Sequence, residues 1–469
     1  MERLKIGFIT TGMEKFDEIL PAPDLKGEED SGPPAYFNDL QAFLEKYGDV
    51  VYGGYVGAIK SASVANTLFK KEDIDILVFH EYTFTQGSTL TALIDGLERV
   101  PFVFWNTQEL LPMDERVVNI GVIFANNSIS TLPHAANILF QRQKDFKVVT
   151  GSQNDAKAVK KFEDYFTVVS TAKHLRKMRV GSIGNQYPGM ITCSVNEAAL
   201  RDHIGPSVDH ITMVDVVEAI KNVPEAAIDD EAKLIRDKYP IIEVNEAEVR
   251  QSAKIYLGMK ELLKGRDIDV LADICNLMIL EKEIGLAPCY AMTKLADEGM
   301  QSSCECDILV AVALAIATDI AGNAWFTEFY MMDMEKETIF CGHCGYAPTE
   351  NANPKYPITG CGCPTYPGCL GMGLGFEFTA KPGQGVLLSL VNAPYGYKMI
   401  ATEVDVMDVP PYPTRCPQIV VKFRNHGFDE GIETFARAGA SHHFVMVYGD
   451  HAKQFEALAE LIGIDFELV

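Results

Sequence analysis

Residues 304–330 read CECDILVAVALAIATDIAGNAWFTEFY, and the fold turns on this stretch. Glu305 and Asp307 stand directly before a strongly apolar run, 308–317. Acids in that position favour the positive end of a helix dipole, so the run reads as a helix. After about Asn323 the texture changes. Alternating patterns follow at 338–341, 386–391, 397–402 and 418–423, separated by Gly- and Pro-rich turns. Alternation at period two predicts antiparallel sheet or a barrel, closed by a helix at 452–461.

Upstream of the quoted stretch the chain has a different rhythm. Short apolar runs at 4–10, 50–53, 74–79, 102–105 and 120–124 read as strands. Helical patterns at 36–47, 61–69 and 88–97 separate them. This predicts a parallel α/β layer, which places ligands at the carboxyl ends of its strands. Those ends carry His80-Glu81-Tyr82-Thr83-Phe84 and Trp105-Asn106-Thr107-Gln108. No glycine fingerprint follows the first strand, which disfavours a dinucleotide site. A second α/β unit starts near Arg179. It contains an amphipathic helix from Asn245, its N-cap, to Leu263, then a strand at 269–274, and it ends with the apolar helix after Asp307. The acidic stretch 225–237 reads as a solvated helical face. The expected fold class is therefore α/β. Two parallel-sheet domains, 1–175 and 176–323, precede a β-rich, barrel-like domain at 324–469.

Of the 469 residues, 41 are basic and 65 acidic, a formal net charge of −24. Such a chain repels phosphate backbones and anionic membranes, which argues against nucleic-acid or membrane partners. The longest apolar run, 308–317, falls well short of the ~20 residues that span a bilayer. The chain runs from Met1 straight into a strand, without an export signal, and its eleven cysteines are odd in number. Reduced thiols and a cytoplasmic location are the expectation.

Four scattered residues carry the chemistry. Glu305 and Glu328 (in Phe326-Thr327-Glu328) supply carboxylates; His343 (in Cys341-Gly342-His343-Cys344-Gly345) and His443 (in Ala440-Ser441-His442-His443) supply imidazoles. That set suits a divalent ion such as Mn²⁺, and paired carboxylates beside it can move protons on a bound sugar. Plainer readings compete. Glu305 and Asp307 serve a helix start equally well. Glu328 sits among Trp325, Phe326, Phe329 and Tyr330, where an uncompensated charge is costly. Cys341 and Cys344, with Cys361, Cys363 and Cys369, could instead hold a structural zinc. Strand alternation at His442-His443 points one ring inward and one away, so one of the two is a ligand.

The stretch 438–444 and the helix after it resemble the ending of L-arabinose isomerases. Glu-x-Asp before an apolar helix, then Phe-Thr-Glu, then Gly-His occur in that family's order. The phrase 342–348 is closer to the L-fucose isomerase-like sugar isomerases, and 79–86, 102–111 and 126–136 resemble N-terminal segments of the arabinose enzymes. The resemblance implies an aldose–ketose isomerase acting on a pentose or modified hexose through a cis-enediol. It implies that Glu305, Glu328, His343 and His443 bind Mn²⁺, or another ion such as Mg²⁺ or Co²⁺, with His443 rather than His442 as the ligand. Glu305 and Glu328 would be the catalytic pair, and His134, Gln108, Phe84 and Tyr187 would contact the sugar. Trimers or hexamers with sites at subunit interfaces are expected. The cysteines of 341–369 and the loop 348–363 depart from the arabinose pattern, which leaves the sugar open. An anionic sugar, sulfonated or phosphorylated and held by Arg179 or Lys173, is one alternative; a non-catalytic sugar-binding protein is another.

Overall fold

The structure, a computed structural model, describes residues 3–12, 35–109, 113, 118, 122–123, 126–363 and 372–469. They form two compact units, Met1–Lys173 and His174–Val469. In the first, β1 (Leu4–Thr11), β2 (Gly48–Val56), β3 (Ile76–Glu81), β4 (Phe102–Asn106) and β5 (Phe146–Thr150) build one parallel sheet in the order β2-β1-β3-β4-β5. Every residue of β3 and β4 is buried, as expected for strands covered on both faces. The expected helices lie at Ala35–Leu44, Ile59–Glu72 and Gly87–Ile94. The strand expected at 120–124 falls largely outside the described residues. β5 was not foreseen: its first three side chains are only half-buried or exposed, which weakens the apolar signal.

The second unit begins with another parallel sheet. Its strands are β6 (Arg179–Ile183), β7 (Ser207–Ile211), β9 (Val270–Asp273) and β10 (Ser302–Ser303), in the order β10-β9-β6-β7; the short β8 (Ile241–Ile242) joins the sheet described next. Helix Glu246–Leu263 opens as a capping box. Asn245 Oδ1 accepts from Glu248 N at 3.1 Å, and Glu248 Oε2 accepts from Asn245 N at 2.9 Å. Helix Glu225–Lys238 exposes Glu225, Asp229, Asp230 and Asp237 on the solvated face expected of it, and departs from that expectation at Glu231. Ile228, Ala232 and Ile235 are buried, and so is Glu231, which accepts a hydrogen bond from the Tyr290 hydroxyl. His174 lies between two carboxylates, 2.7 Å from Asp319 and 3.2 Å from Asp269.

The remaining strands are β11 (Trp325–Asp333), β12 (Thr338–Gly342), β13 (Thr359–Gly362), β14 (Leu374–Thr379), β15 (Gly383–Ala393), β16 (Gly396–Val406), β17 (Pro417–Phe423), β18 (His443–Tyr448) and β19 (Asp465–Leu468). Six of them run antiparallel around a ring, β16-β15-β18-β11-β12-β17, and β16 pairs with β17 to close a barrel. Helix Ile308–Ala321 packs against β9 of the parallel sheet and against β15 and β18 of the barrel. Covered on both sides, it is apolar almost all round. No helix among the described residues is long and apolar enough to cross a membrane.

Candidate active site

Three barrel strands deliver three of the four candidate residues to one rim. Glu328 lies opposite Gly342 on β12, whose next residue is His343. On its other side Glu328 lies opposite His443, the first residue of β18. Pairing on both edges of β11 therefore brings one carboxylate and two imidazoles together, although 115 positions of sequence separate Glu328 from His443. Phe326, two residues before Glu328 and fully buried, packs against both imidazoles, with ring centroids at 4.5 Å (His343) and 4.9 Å (His443).

Glu305 arrives from the parallel sheet, in the turn between β10 and the apolar helix. Glu305 and Cys306 both adopt left-handed backbone, with φ of 60° and 56°. Two successive non-glycine residues in that region are strained by about 1–2 kcal/mol each, and such strain persists only where surroundings enforce it. The surroundings do so here. Cys306 N donates to Asp273 O at 2.8 Å, Tyr187 N donates to Glu305 O at 3.3 Å, and Ser303 Oγ donates to Asp307 O at 2.7 Å. Asp307 then caps the helix, accepting from Val310 N at 3.2 Å. The turn aims the Glu305 carboxylate at the barrel rim.

One ligand atom each from Glu305, His343 and His443 lie within 4.8 Å of one another. Glu305 Oε2 is 3.6 Å from His443 Nε2, and Glu328 Oε1 is 3.8 Å from His343 Nε2. Glu305 Oε2, His443 Nε2 and His343 Nδ1 are buried without a hydrogen-bond partner. Orphaned buried atoms of this kind are expensive, and the two that face each other, Glu305 Oε2 and His443 Nε2, fit a cation held between them. The donor set of carboxylates and imidazoles suits a divalent ion such as Mn²⁺.

Asp307 is the functional residue that sequence reasoning missed. Its carboxylate, almost fully buried, accepts from His443 Nδ1 at 3.1 Å. In the neutral imidazole that hydrogen bond places the proton on Nδ1 and leaves Nε2, 3.6 Å from Glu305 Oε2, free to bind an ion, the arrangement by which carboxylates orient metal-binding histidines. Burial opposes charge on His443. Asp307, Glu305 and Glu328 outweigh it and raise its pKa. His343, buried and facing His443 and His442, is pushed well below the ordinary histidine value. Burial raises both glutamates; His443 pulls each back, while Asp307 raises Glu305 and Glu305 raises Glu328.

The other candidates fall as follows. Tyr187 is half-buried and bonded through its backbone to Glu305. His442 is exposed, its ring tilted against that of His443 with centroids 3.8 Å apart. In the first unit Phe84 stacks on the exposed His134, centroids 5.5 Å apart, and Gln108 follows β4 at its carboxyl end. His80 and Glu81 end β3 there, buried, with His80 Nε2 and Glu81 Oε1 unpartnered. Arg179 and Lys173, considered for an anionic sugar, are engaged by Asp209 at 2.6 Å and Asp75 at 2.8 Å. The zinc alternative gains no cluster. Among the described residues, no group of three metal-donor side chains includes Cys341, Cys344, Cys361 or Cys363, and Cys369 lies outside them. Cys363 instead meets Cys289, sulfur to sulfur at 3.0 Å.

Comparison with known proteins agrees with the barrel and the sheet before it. The family profile for the L-arabinose isomerase central domain matches residues 193–323, and that for the L-arabinose isomerase C-terminal domain matches 323–465. A sulfoquinovose isomerase from Priestia aryabhattai is 23% identical over 398 residues, 84% of this chain and 86% of that protein. A sulfoquinovose isomerase from Alkalicoccus urumqiensis is 23% identical over 83% of this chain and 85% of its own. An L-arabinose isomerase from Shouchella clausii is 24% identical over 395 residues, 82% of this chain and 79% of that protein.

Proposed function

Residues 193–465 belong to the L-arabinose isomerase family, matched in order by its central and C-terminal domains, and from that premise we propose that the protein is a metal-dependent aldose–ketose isomerase. The observation that supports it most is the convergence of Glu305, Glu328, His343 and His443 at one barrel rim, with buried, unpartnered ligand atoms. These four side chains would hold the ion, Mn²⁺ by preference, with Mg²⁺ or Co²⁺ as substitutes. When bound, it supplies positive charge that stabilises the negative charge developing on the sugar oxygens. Proton movement falls to the chain itself. One glutamate, as carboxylate, removes the proton from C2. The other, as carboxylic acid, gives a proton to O1, which yields the cis-enediol. Return of the first proton to C1 and loss of the O2 proton complete the ketose. Two carboxyl groups can divide these roles when their surroundings differ, and these do. Glu305 faces Asp307 in a strained turn, while Glu328 is pulled down by the nearby Tyr330 and pushed up by Glu305. His343 and His443 act as neutral imidazoles, and Phe326 closes the floor beneath them.

The sugar is a pentose or a hexose, with Tyr187, Gln108, Phe84 and His134 as the proposed contacts. Two of the three relatives described above are sulfoquinovose isomerases, which favours an anionic hexose as the second reading. The protein would work in the cytoplasm as a trimer or hexamer, as the resemblance implies. Glu305→Gln and Glu328→Gln test the proposal. Each should lower turnover by at least about 10²-fold with an unchanged melting profile of the metal-free protein. Near-normal turnover in both would remove the acid–base pair.

A further inference from the structure

Two groups of metal-donor side chains occur among the described residues, and they share one member. The first is Glu305, His343 and His443. The second is Cys193, His442 and His443, again with one ligand atom from each within 4.8 Å of the others. Cys193 ends the short 3-10 turn Ile191–Cys193, and its thiol lies in the field of the Asp307 carboxylate. Asp307 in turn holds His443 Nδ1 at 3.1 Å. Cys193, though buried, lines a cleft of about 330 Å³ together with Ser182, Gly184, Glu197, His210 and Cys306. His442 is exposed, and its Nδ1 meets Thr192 Oγ1 at 3.4 Å, a weak tether.

We propose that Cys193, His442 and His443, with Asp307 beside them, form a second cation site that takes a thiophilic ion such as Zn²⁺ or Cd²⁺ and thereby weakens the Glu305–Glu328–His343–His443 site. A thiolate and two imidazoles make a soft-to-borderline set, whereas the four-residue set lacks sulfur and suits harder ions. Binding converts the thiol to thiolate and releases its proton to solvent, one per ion. The ion engages His443 or displaces its hydrogen bond to Asp307. Either event disturbs the nitrogen that the other site needs. Coupling between the two sites is then negative and reciprocal. The binding of the soft ion stands on its own geometry; its effect on Mn²⁺ rests on the reading of the four-residue site.

The test titrates Cd²⁺ into the chelator-treated protein without sugar and follows sulfur-to-metal charge-transfer absorption. One equivalent should develop the band in the wild type, Cys193→Ser should abolish it, and His442→Ala, at an exposed position, should weaken binding about tenfold or more. Calorimetric titration with Mn²⁺ supplies the second readout. Cd²⁺ should lower Mn²⁺ affinity at least about tenfold in the wild type and not in Cys193→Ser, whose Mn²⁺ affinity without Cd²⁺ should be normal. A first-equivalent band that survives Cys193→Ser would overturn the site, and so would Cd²⁺ affinity indifferent to His442→Ala. Cd²⁺ bound at Cys193 with unaltered Mn²⁺ affinity would overturn the coupling. Failure of Mn²⁺ to bind at all would instead remove the four-residue reading and leave the Cys193 result to stand or fall by its own band.

Discussion

At the scale of single residues, Asp307 has two roles that can be separated. It caps the apolar helix through Val310 N and orients His443 through Nδ1. Asparagine caps helices about as well as aspartate, so Asp307→Asn keeps the first role and removes the charge behind the second. Mn²⁺ affinity should fall by about 10–100-fold while the melting temperature of the metal-free protein hardly moves; calorimetric titration and thermal unfolding together check this. His443→Ala should lose more Mn²⁺ affinity than His442→Ala, and the reverse order would displace His443 from the site. The four candidate ligands were legible in the sequence because each sits in a distinctive local phrase. Asp307 was read as a helix-start acid, which it is. Its second partner lies 136 positions away, and no local spacing announces a contact made only when β18 lies against the helix. Cys193 was silent for the same reason.

Among the elements, close backbone approach and buried charge decide what the sequence can vary. Gly345 follows His343 by two residues, and a Cβ there would stand 2.7 Å from Gly375 Cα on β14. Phe376 N also donates to Gly345 O at 2.9 Å, so the loop cannot retreat without losing that bond. Gly345→Ala should cost roughly 1–3 kcal/mol and shift His343, read as a lower melting temperature and weaker Mn²⁺ binding together. His174 ties the strand β9 region to the apolar helix. The hydrogen bonds that His174 donates to Asp269 and Asp319, larger than the opposing effect of burial, raise its pKa from 6.5 to about 10. A raised value stabilises the fold fully below pH about 6.5 and progressively less up to about 10. His174→Gln should therefore cost roughly 2 kcal/mol near pH 6 and little near pH 10. A melting-temperature gap that widens with pH would contradict this. Helix and strand positions were legible where apolar period and caps agree, as at Asn245. Glu225–Lys238 shows the limit: its charge density pointed to water, yet Tyr290 brings Glu231 into the interior.

For the whole molecule, the alternating strands after Asn323 left open whether the sheet would close. Closure depends on β16 meeting β17 across Val404↔Phe423, a matter of register that composition does not encode. Closure also positions the site, because the β12-β11-β18 rim faces the turn that carries Glu305 only when helix Ile308–Ala321 packs between the parallel sheet and the barrel. Ion binding should then stabilise the fold as well as activate it, by about 2.7 kcal/mol at a hundredfold excess over the dissociation constant. The most direct measurement combines these claims. Chelator-treated protein is given arabinose, fucose, ribose, galactose, glucose, and sulfonated and phosphorylated hexoses, with and without Mn²⁺, and ketose is measured. Ketose from at least one sugar, formed only when Mn²⁺ is restored, is the expected result. Ketose formed equally well by metal-free protein, or no ketose from any of these sugars with Mn²⁺ bound, would contradict it.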